Sequence, residues 1–428
     1  MGSIPTSGSL MNINSKVKLH HLKASSEPDE NNLYSLVRWD TDQSILVPTE
    51  AIKIIKNLSE NKSIKETAHE LKLNSSEIID LINQLIDVDY VAEIDGKKLK
   101  DDSPKIKPLL VGVNRKIFRF FLLKPVLYLL FSFTVSGLFI GFTHPTFYPS
   151  YKQFFWTNDL FVVFLSLFLI SSFFLFIHET GHFIATKAVG GEATMRLSNR
   201  YLSLVAETES YHLAVVPKVL RYFVYFNGMF VDFFIIAGLY WLLFIISKFN
   251  FSFIILEKLI FAVILLLINA IIWQYNVFLE TDMYNFLSDY LGEENLKINA
   301  EKFLGLKIKK WQKPSLKGPK QMLLKLFMNK NVEQEGEDFR FVSKTEKKHF
   351  LIYSLILTSG IIFMTLNYAF FIIPREIVFF ASSFQNIILA LKKTDFIELI
   401  KNIILLFLIS FQYILLMVIH FRKKYVKQ

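Results

Sequence analysis

Leu160–Ile177 reads LFVVFLSLFLISSFFLFI and is followed at once by His178-Glu179-Thr180-Gly181-His182-Phe183. The first part is 18 residues without a charge, enough to be a candidate for a helix crossing a bilayer. The second part is an H-E-x-x-H motif. Four residues is just over one helical turn, so His178 and His182 stand on one face and can share one metal ion. Glu179 lies beside them, suited to accept a proton from water rather than to bind the ion. Two histidines and a glutamate closing an uncharged span are costly unless they do something. Polar residues idling at a helix end would explain neither the spacing nor the depth.

Other uncharged blocks extend the pattern: Pro125–Phe142, Tyr222–Ser247 broken by Asp232, Leu259–Leu279, Phe350–Pro374 and Asn402–Ile419. Ile377–Leu391 is shorter and carries Ser382, Ser383, Gln385 and Asn386, which suits an interfacial or re-entrant helix. The expectation is six spans. Arg115, Lys116, Arg119 and Lys124 precede the first block; Arg196, Arg200, Lys218 and Arg221 follow the second. Lys297, Lys302, Lys307, Lys309, Lys310, Lys313, Lys317, Lys320 and Lys325 follow the fourth, and Arg422-Lys423-Lys424 lies in the tail. Six spans put all of these on one face, so both termini are expected to be cytosolic. The whole chain agrees: of 428 residues 52% are hydrophobic and 20% charged, against about 25% charged in soluble domains. That excludes a simple soluble enzyme. The net charge of +10 suits the anionic face of a membrane as well as nucleic acid.

Ahead of the membrane blocks lies a polar stretch, Met1–Asp102, with no signal-peptide pattern. Residues 1–32 are expected to be disordered, and Asp101–Lys107 to be a linker. Leu33–Trp39 and Ser44–Val47 alternate as a hairpin. Pro48–Asn57 reads as a helix, Ser63–Leu71 as a second opening with a Ser63/Glu66 capping box, and Glu77–Ile86 as a third capped by Ser75 or Ser76. Tyr90–Ile94 with Asp95-Gly96 closes the order of a winged helix, residues 33–100. Glu50 to Gly96 holds five Lys against ten acidic residues. Phosphate neutralisation needs a basic face, so this domain is expected to bind peptide or to be structural, and not to bind nucleic acid.

A catalytic zinc needs a third protein ligand and one open position. With no cysteine in the chain, histidine and carboxylate must supply it. Glu207, Glu209 and His212 follow the motif helix and are candidates. Asp282, in Asn276-Val277-Phe278-Leu279-Glu280-Thr281-Asp282-Met283-Tyr284-Asn285, is favoured because it falls at the same expected depth as the two histidines. Glu280 reads as a solvated neighbour. Asp232 is an intramembrane carboxylate, functional by default: a partner of a ligand histidine, a substrate acceptor, or a protonated buried acid.

At this point the chain resembles the site-2 protease class of intramembrane zinc metalloproteases. Within that class it is most similar to the peptide zinc metalloproteases of bacterial modified-peptide biosynthesis clusters, which also place a small winged-helix domain ahead of the membrane core. The likeness runs roughly from Leu33 to Ile362. It implies His178, His182 and Asp282 as zinc ligands, Glu179 as catalytic base, and Asn276 as a holder of substrate backbone. Asn227-Gly228-Met229 and Asp232 fall where the class has Gly-Pro and then Asn, which implies a substrate-binding role for Gly228 and Asp232. The chain departs from the class at Met229 and Val277, where proline is usual, and at Met283, where glycine is usual. The uncharged blocks and the basic segments between them give a membrane core of four spans over residues 108–290, a cytosolic basic loop over 291–348 and two further spans with an interfacial helix and a basic tail over 349–428. The resemblance implies a bacterial plasma membrane, a precursor or membrane-associated peptide as substrate, and a peptide exporter or modification enzyme as partner. Two alternatives stay open: a non-proteolytic export or immunity protein, motivated by the departures, and a regulatory protease releasing a membrane-tethered transcription regulator. A transporter is disfavoured because the six blocks show no inverted repeat.

Overall fold

The computed structural model describes residues 11–29, 32–157, 159–200, 203–249, 253–293, 295–311 and 343–407, with 410, 411 and 414. Contacts divide the chain into two units, one of Met1–Leu123, His182–Met195 and Thr208–Val224, the other of Lys124–Gly181, Arg196–Glu207 and Tyr225–Gln428.

In the first unit, strands β1 (Val17–Leu19), β2 (Leu22–Ala24), β3 (Leu33–Arg38) and β4 (Ser44–Pro48) precede helices α1 (Thr49–Ser59), α2 (Ile64–Leu71) and α3 (Ser75–Asp87); β5 (Val91–Ile94) and β6 (Lys97–Lys98) follow. Ala51, Ile54, Ile55 and Leu58 form the buried stripe of α1, the spacing of one helix face. The Ser63/Glu66 capping box opens α2. For α3 the expected serine cap gives way to Asn74, the helix beginning at Ser75 without a side-chain cap bond. The strands make two antiparallel sheets, ordered β1-β5-β6 and β2-β3-β4. The β3–β4 hairpin pairs Leu36 with Ile45. Residues 11–29, expected to be disordered, instead include β1 and β2, with Val17 opposite Ile94. Three-residue strands carry no readable period; only their partners hold them. Residues 1–10 lie outside the described residues. Apolar side chains from both sheets and all three helices, among them Leu36, Leu58, Ile64, Ile82 and Tyr90, close one core. The expected linker is pinned as well: the guanidinium of buried Arg38 donates to Asp101 at 2.5 Å and to Asp40 at 2.7 Å.

A short helix α4 (Arg115–Arg119) leads to α5 (Lys124–Thr143) and α6 (Leu160–Val189). A hairpin of β7 (Glu192–Arg200) and β8 (Ser203–Tyr211) precedes α7 (Lys218–Lys248), α8 (Ile254–Gln274), α9 (Asp282–Leu291) and α10 (Leu296–Trp311). Then come α11 (Lys344–Asn367) and α12 (Ile373–Lys393), joined by a π turn over Tyr368–Ile372. Among the described residues five helices are long and apolar enough to cross a membrane: Lys124–Thr143, Phe161–Val189, Lys218–Lys248, Ile254–Gln274 and Lys344–Phe370. The expected sixth, Asn402–Ile419, falls largely outside the described residues. In the second unit a Cβ on Gly137 would lie 2.5 Å from the Ala237 carbonyl oxygen and one on Gly141 2.4 Å from the Tyr240 ring. These glycines let α5 and α7 approach as close-packed membrane helices do.

One expected boundary is wrong in an informative way. The fourth block was expected to run to Leu279, but α8 stops at Gln274; Val277–Leu279 is a 3-10 turn and Glu280 takes a left-handed φ of 56°. The block is uncharged throughout, so reading between charges does not see this turn. Its Phe278 ring packs on Gly360 of α11, where a Cβ would lie 2.3 Å away.

Candidate metal centre

α6 is one continuous helix, so His178 and His182 keep their one-turn relation. Both are buried, as is Glu179. Gly181 lies between the histidines, and a Cβ there would sit 2.9 Å from the Val231 side chain of α7. The Asn227 amide of α7 donates to the Gly181 carbonyl at 2.7 Å. Glycine thus admits α7, and α7 brings Asp232, which is only 1% exposed.

Each ligand-type histidine is anchored through Nδ1. His178 Nδ1 lies 2.7 Å from Asp232 Oδ2, and His182 Nδ1 lies 2.8 Å from the Val224 carbonyl oxygen. Both partners are acceptors, so the network assigns the protons to Nδ1. His178 Nε2 lies 3.1 Å from Asp282 Oδ2, so this ring stands between two carboxylates. Donor atoms of His178, His182 and Asp282 all lie within 4.8 Å of one another. An acidic partner on the far nitrogen of a ligand histidine is the usual outer shell of a zinc site. The donor set therefore fits a divalent ion, two imidazoles and a carboxylate being suited to zinc.

Asp282 reaches this position because the 3-10 turn reverses the chain after α8. The Thr281 hydroxyl donates to the Gln274 carbonyl at 2.6 Å, and the Asp282 backbone N–H donates to the Gln274 side chain at 3.3 Å. Asp282 then opens α9, where a carboxylate is favoured by the helix dipole.

Of the other residues singled out, Asp232 lies on His178 Nδ1. Asn276 donates to the Trp273 carbonyl at 3.0 Å, within the same turn. Gly228 is buried in α7 beside Asn227. Glu207, Glu209 and His212 do not belong to the cluster. Glu207 accepts from Arg196 and Glu209 from the Tyr211 hydroxyl. His212 is engaged by the β3–β4 turn: its ring stacks on Trp39 with centroids 3.6 Å apart, its Nε2–H donates to the Trp39 carbonyl at 2.8 Å, and its backbone N–H donates to Asp42 at 2.5 Å. Burial lowers the His212 pKa and pushes the Asp42 carboxyl up to about 6.

The Val224 carbonyl was not legible in the sequence, since a backbone acceptor has no residue signature. Asn227 was visible as a polar residue in an apolar span, but its target was not. No protein-family model matches the chain, and neither curated proteins nor solved structures yield a match.

Proposed function

We propose that the protein is an intramembrane zinc metalloendopeptidase, acting on a small precursor peptide or a membrane-associated one. The reading rests on one observation: both histidines of an H-E-x-x-H motif are anchored at Nδ1, and donor atoms of the pair gather with Asp282 within 4.8 Å. His178, His182 and Asp282 are the ligands. Bound zinc would polarise the scissile carbonyl and make water acidic enough to attack at neutral pH. Glu179 accepts the proton of that water and passes it to the leaving amine. Asp232 and the Val224 carbonyl hold the two rings in orientation. Burial of His178, Glu179 and His182 strengthens their electrostatics.

In this reading the chain has six spans with both ends cytosolic, in a bacterial plasma membrane. The N-terminal unit is a winged helix that presents the peptide, and its acidic character argues against nucleic acid. A peptide exporter or modification enzyme is the natural partner. Asn276 and Gly228 remain the substrate-side residues by resemblance.

The test compares peptides from cells carrying the wild-type and the Glu179→Gln protein. Loss of processing with zinc retained is the expected result. Unchanged processing with zinc retained would sink the protease reading and favour an export or immunity protein. A single-span transcription regulator among the accumulated species would point to regulatory proteolysis instead.

A further inference from the structure

We infer that residues 109–123, together with Lys23, form a docking surface for anionic phospholipid headgroups. The inference depends on the membrane part of the proposed function and not on proteolysis.

Between Asp102 and Asp159 the chain contains no acidic residue, while Lys105, Lys107, Arg115, Lys116, Arg119, Lys124 and Lys152 fall in the same stretch. Leu110, Val111, Ile117, Phe120 and Leu123 are each more than half exposed. An exposed apolar run of this density marks a surface that is covered by something. Its end fixes what covers it. Leu123 is followed directly by Lys124, the first residue of a bilayer-length helix, so the segment ends at the membrane boundary. Apolar and aromatic side chains interleaved with Arg and Lys are the composition of an element lying in the headgroup layer.

The other side of the segment is tied to the protein. Phe118 is buried, edge-on to the Phe183 ring at 6.3 Å, and Phe183 directly follows His182. The Leu109 N–H donates to the Ala193 carbonyl at 2.8 Å, and Arg115 donates to Glu192 at 2.9 Å. The basic face is assembled from separate parts of the chain. Lys23 of β2 holds its Nζ 5.0 Å from the Trp39 ring centroid, and burial and the neighbouring charges of Arg115 and Arg119 lower its pKa. Arg119 and Lys116 have no carboxylate at ion-pair distance among the described residues. Like charges gathered beside exposed aliphatic groups suit an anion that brings its own apolar body. A phospholipid meets both requirements; nucleic acid meets only the first.

The experiment incorporates the full-length protein, wild type and Glu179→Gln, into nanodiscs of equimolar phosphatidylcholine and phosphatidylglycerol. Native mass spectrometry then counts the lipids retained. Phosphatidylglycerol is expected to be enriched in both proteins, which separates this result from catalysis. Lys23→Gln and Arg119→Gln are each expected to weaken that enrichment about fivefold, the equivalent of ~1 kcal/mol per basic residue at an anionic surface. Lys152→Gln, a basic residue of the acid-free stretch that lies outside residues 109–123, should leave it unchanged. Equal retention of the two lipids overturns the proposal, as does undiminished enrichment in both Gln variants. Displacement of phosphatidylglycerol by a polyglutamate peptide as readily as by free lipid would also overturn it, making this an acidic-peptide surface.

Discussion

Among the described residues two clusters bring one or two histidines and carboxylates within 4.8 Å: His178, His182 and Asp282, and, in the first unit, His20, Asp40 and Asp101. By distance they are equivalent. Their surroundings separate them. Around His20, the two carboxylates are already neutralised: Arg38 donates to both, and Lys105 pairs with both. His20 Nε2 is 3.9 Å from Asp101 and makes no hydrogen bond. Although burial pushes the Asp40 carboxyl up, the bonds from Arg38 and Lys105 hold it at about 2, and Asp101 lies below the usual carboxylate range for the same two reasons. In the motif cluster, by contrast, the two rings are held through Nδ1 by Asp232 and the Val224 carbonyl, with His178 Nε2 3.1 Å from Asp282. Converging donors therefore do not make a metal site by themselves. What separates the two clusters is that the carboxylates beside His20 are held by Arg38 and Lys105.

The sharpest way to break the contrast is to remove ligands from each cluster. Asp282→Ala or His178→Ala is expected to abolish stoichiometric zinc in the purified protein, measured by inductively coupled plasma mass spectrometry, whereas His20→Ala should leave it unchanged. Zinc lost equally from both would show the clusters to be alike. In the same series Glu179→Gln should keep zinc and lower peptide hydrolysis by at least about 10²-fold, the usual contribution of a general base.

Arg38→Met probes the first-unit cluster. It deprives Asp40 and Asp101 of their guanidinium while Lys105 stays paired with both, at a cost of ~1–3 kcal/mol for part-exposed, charge-assisted bonds. Hydrogen exchange should report loosening of β3 and residues 101–105, with zinc content unaffected. Asp232→Asn is milder: it keeps the shape and removes the charge behind His178, and zinc affinity should fall about 10- to 100-fold, as for other outer-shell changes. An unchanged affinity would mean that Asp232 does not orient the ring.

The smallest effect is in pH. Asp40 has a depressed folded-state pKa, so its pairing contributes stability above its ordinary value of 3.8 and loses it as pH falls through about 2. Asp42, two residues on, has the opposite sign. Its folded-state pKa is raised to about 6, so it favours the folded turn below 3.8 and loses that contribution as pH rises through about 6. Asp42→Asn should therefore steady the Trp39–His212 contact above pH 6 by on the order of 1 kcal/mol after screening. Hydrogen exchange at residues 39–43 and 212 across that range checks it; a looser contact in the variant would contradict the assignment.

Much of this architecture was legible because its signals are local. An uncharged run of helical length, a Ser63/Glu66 cap and a one-turn histidine spacing each depend on residues a few positions apart, and each appears in the structure. Asp282 could be singled out because depth in a membrane is a coordinate that sequence carries. What sequence could not carry is which side chain meets which across long separations. His178 meets Asp232 across 54 residues and Asp282 across 104, through close packing at Gly181 and a turn hidden inside an apolar block. His212 stood as a candidate ligand behind Asp282, and the fold of the first unit, by laying Trp39 and Asp42 on it, gave it other partners. The three-residue strands β1 and β2 likewise exist only where their partners supply the missing hydrogen bonds. Composition and period determined which segments are apolar helices and which residues bear the chemistry. Tertiary packing decided their pairing, because a lone pair or a carboxylate acquires its role only from the atom set opposite it.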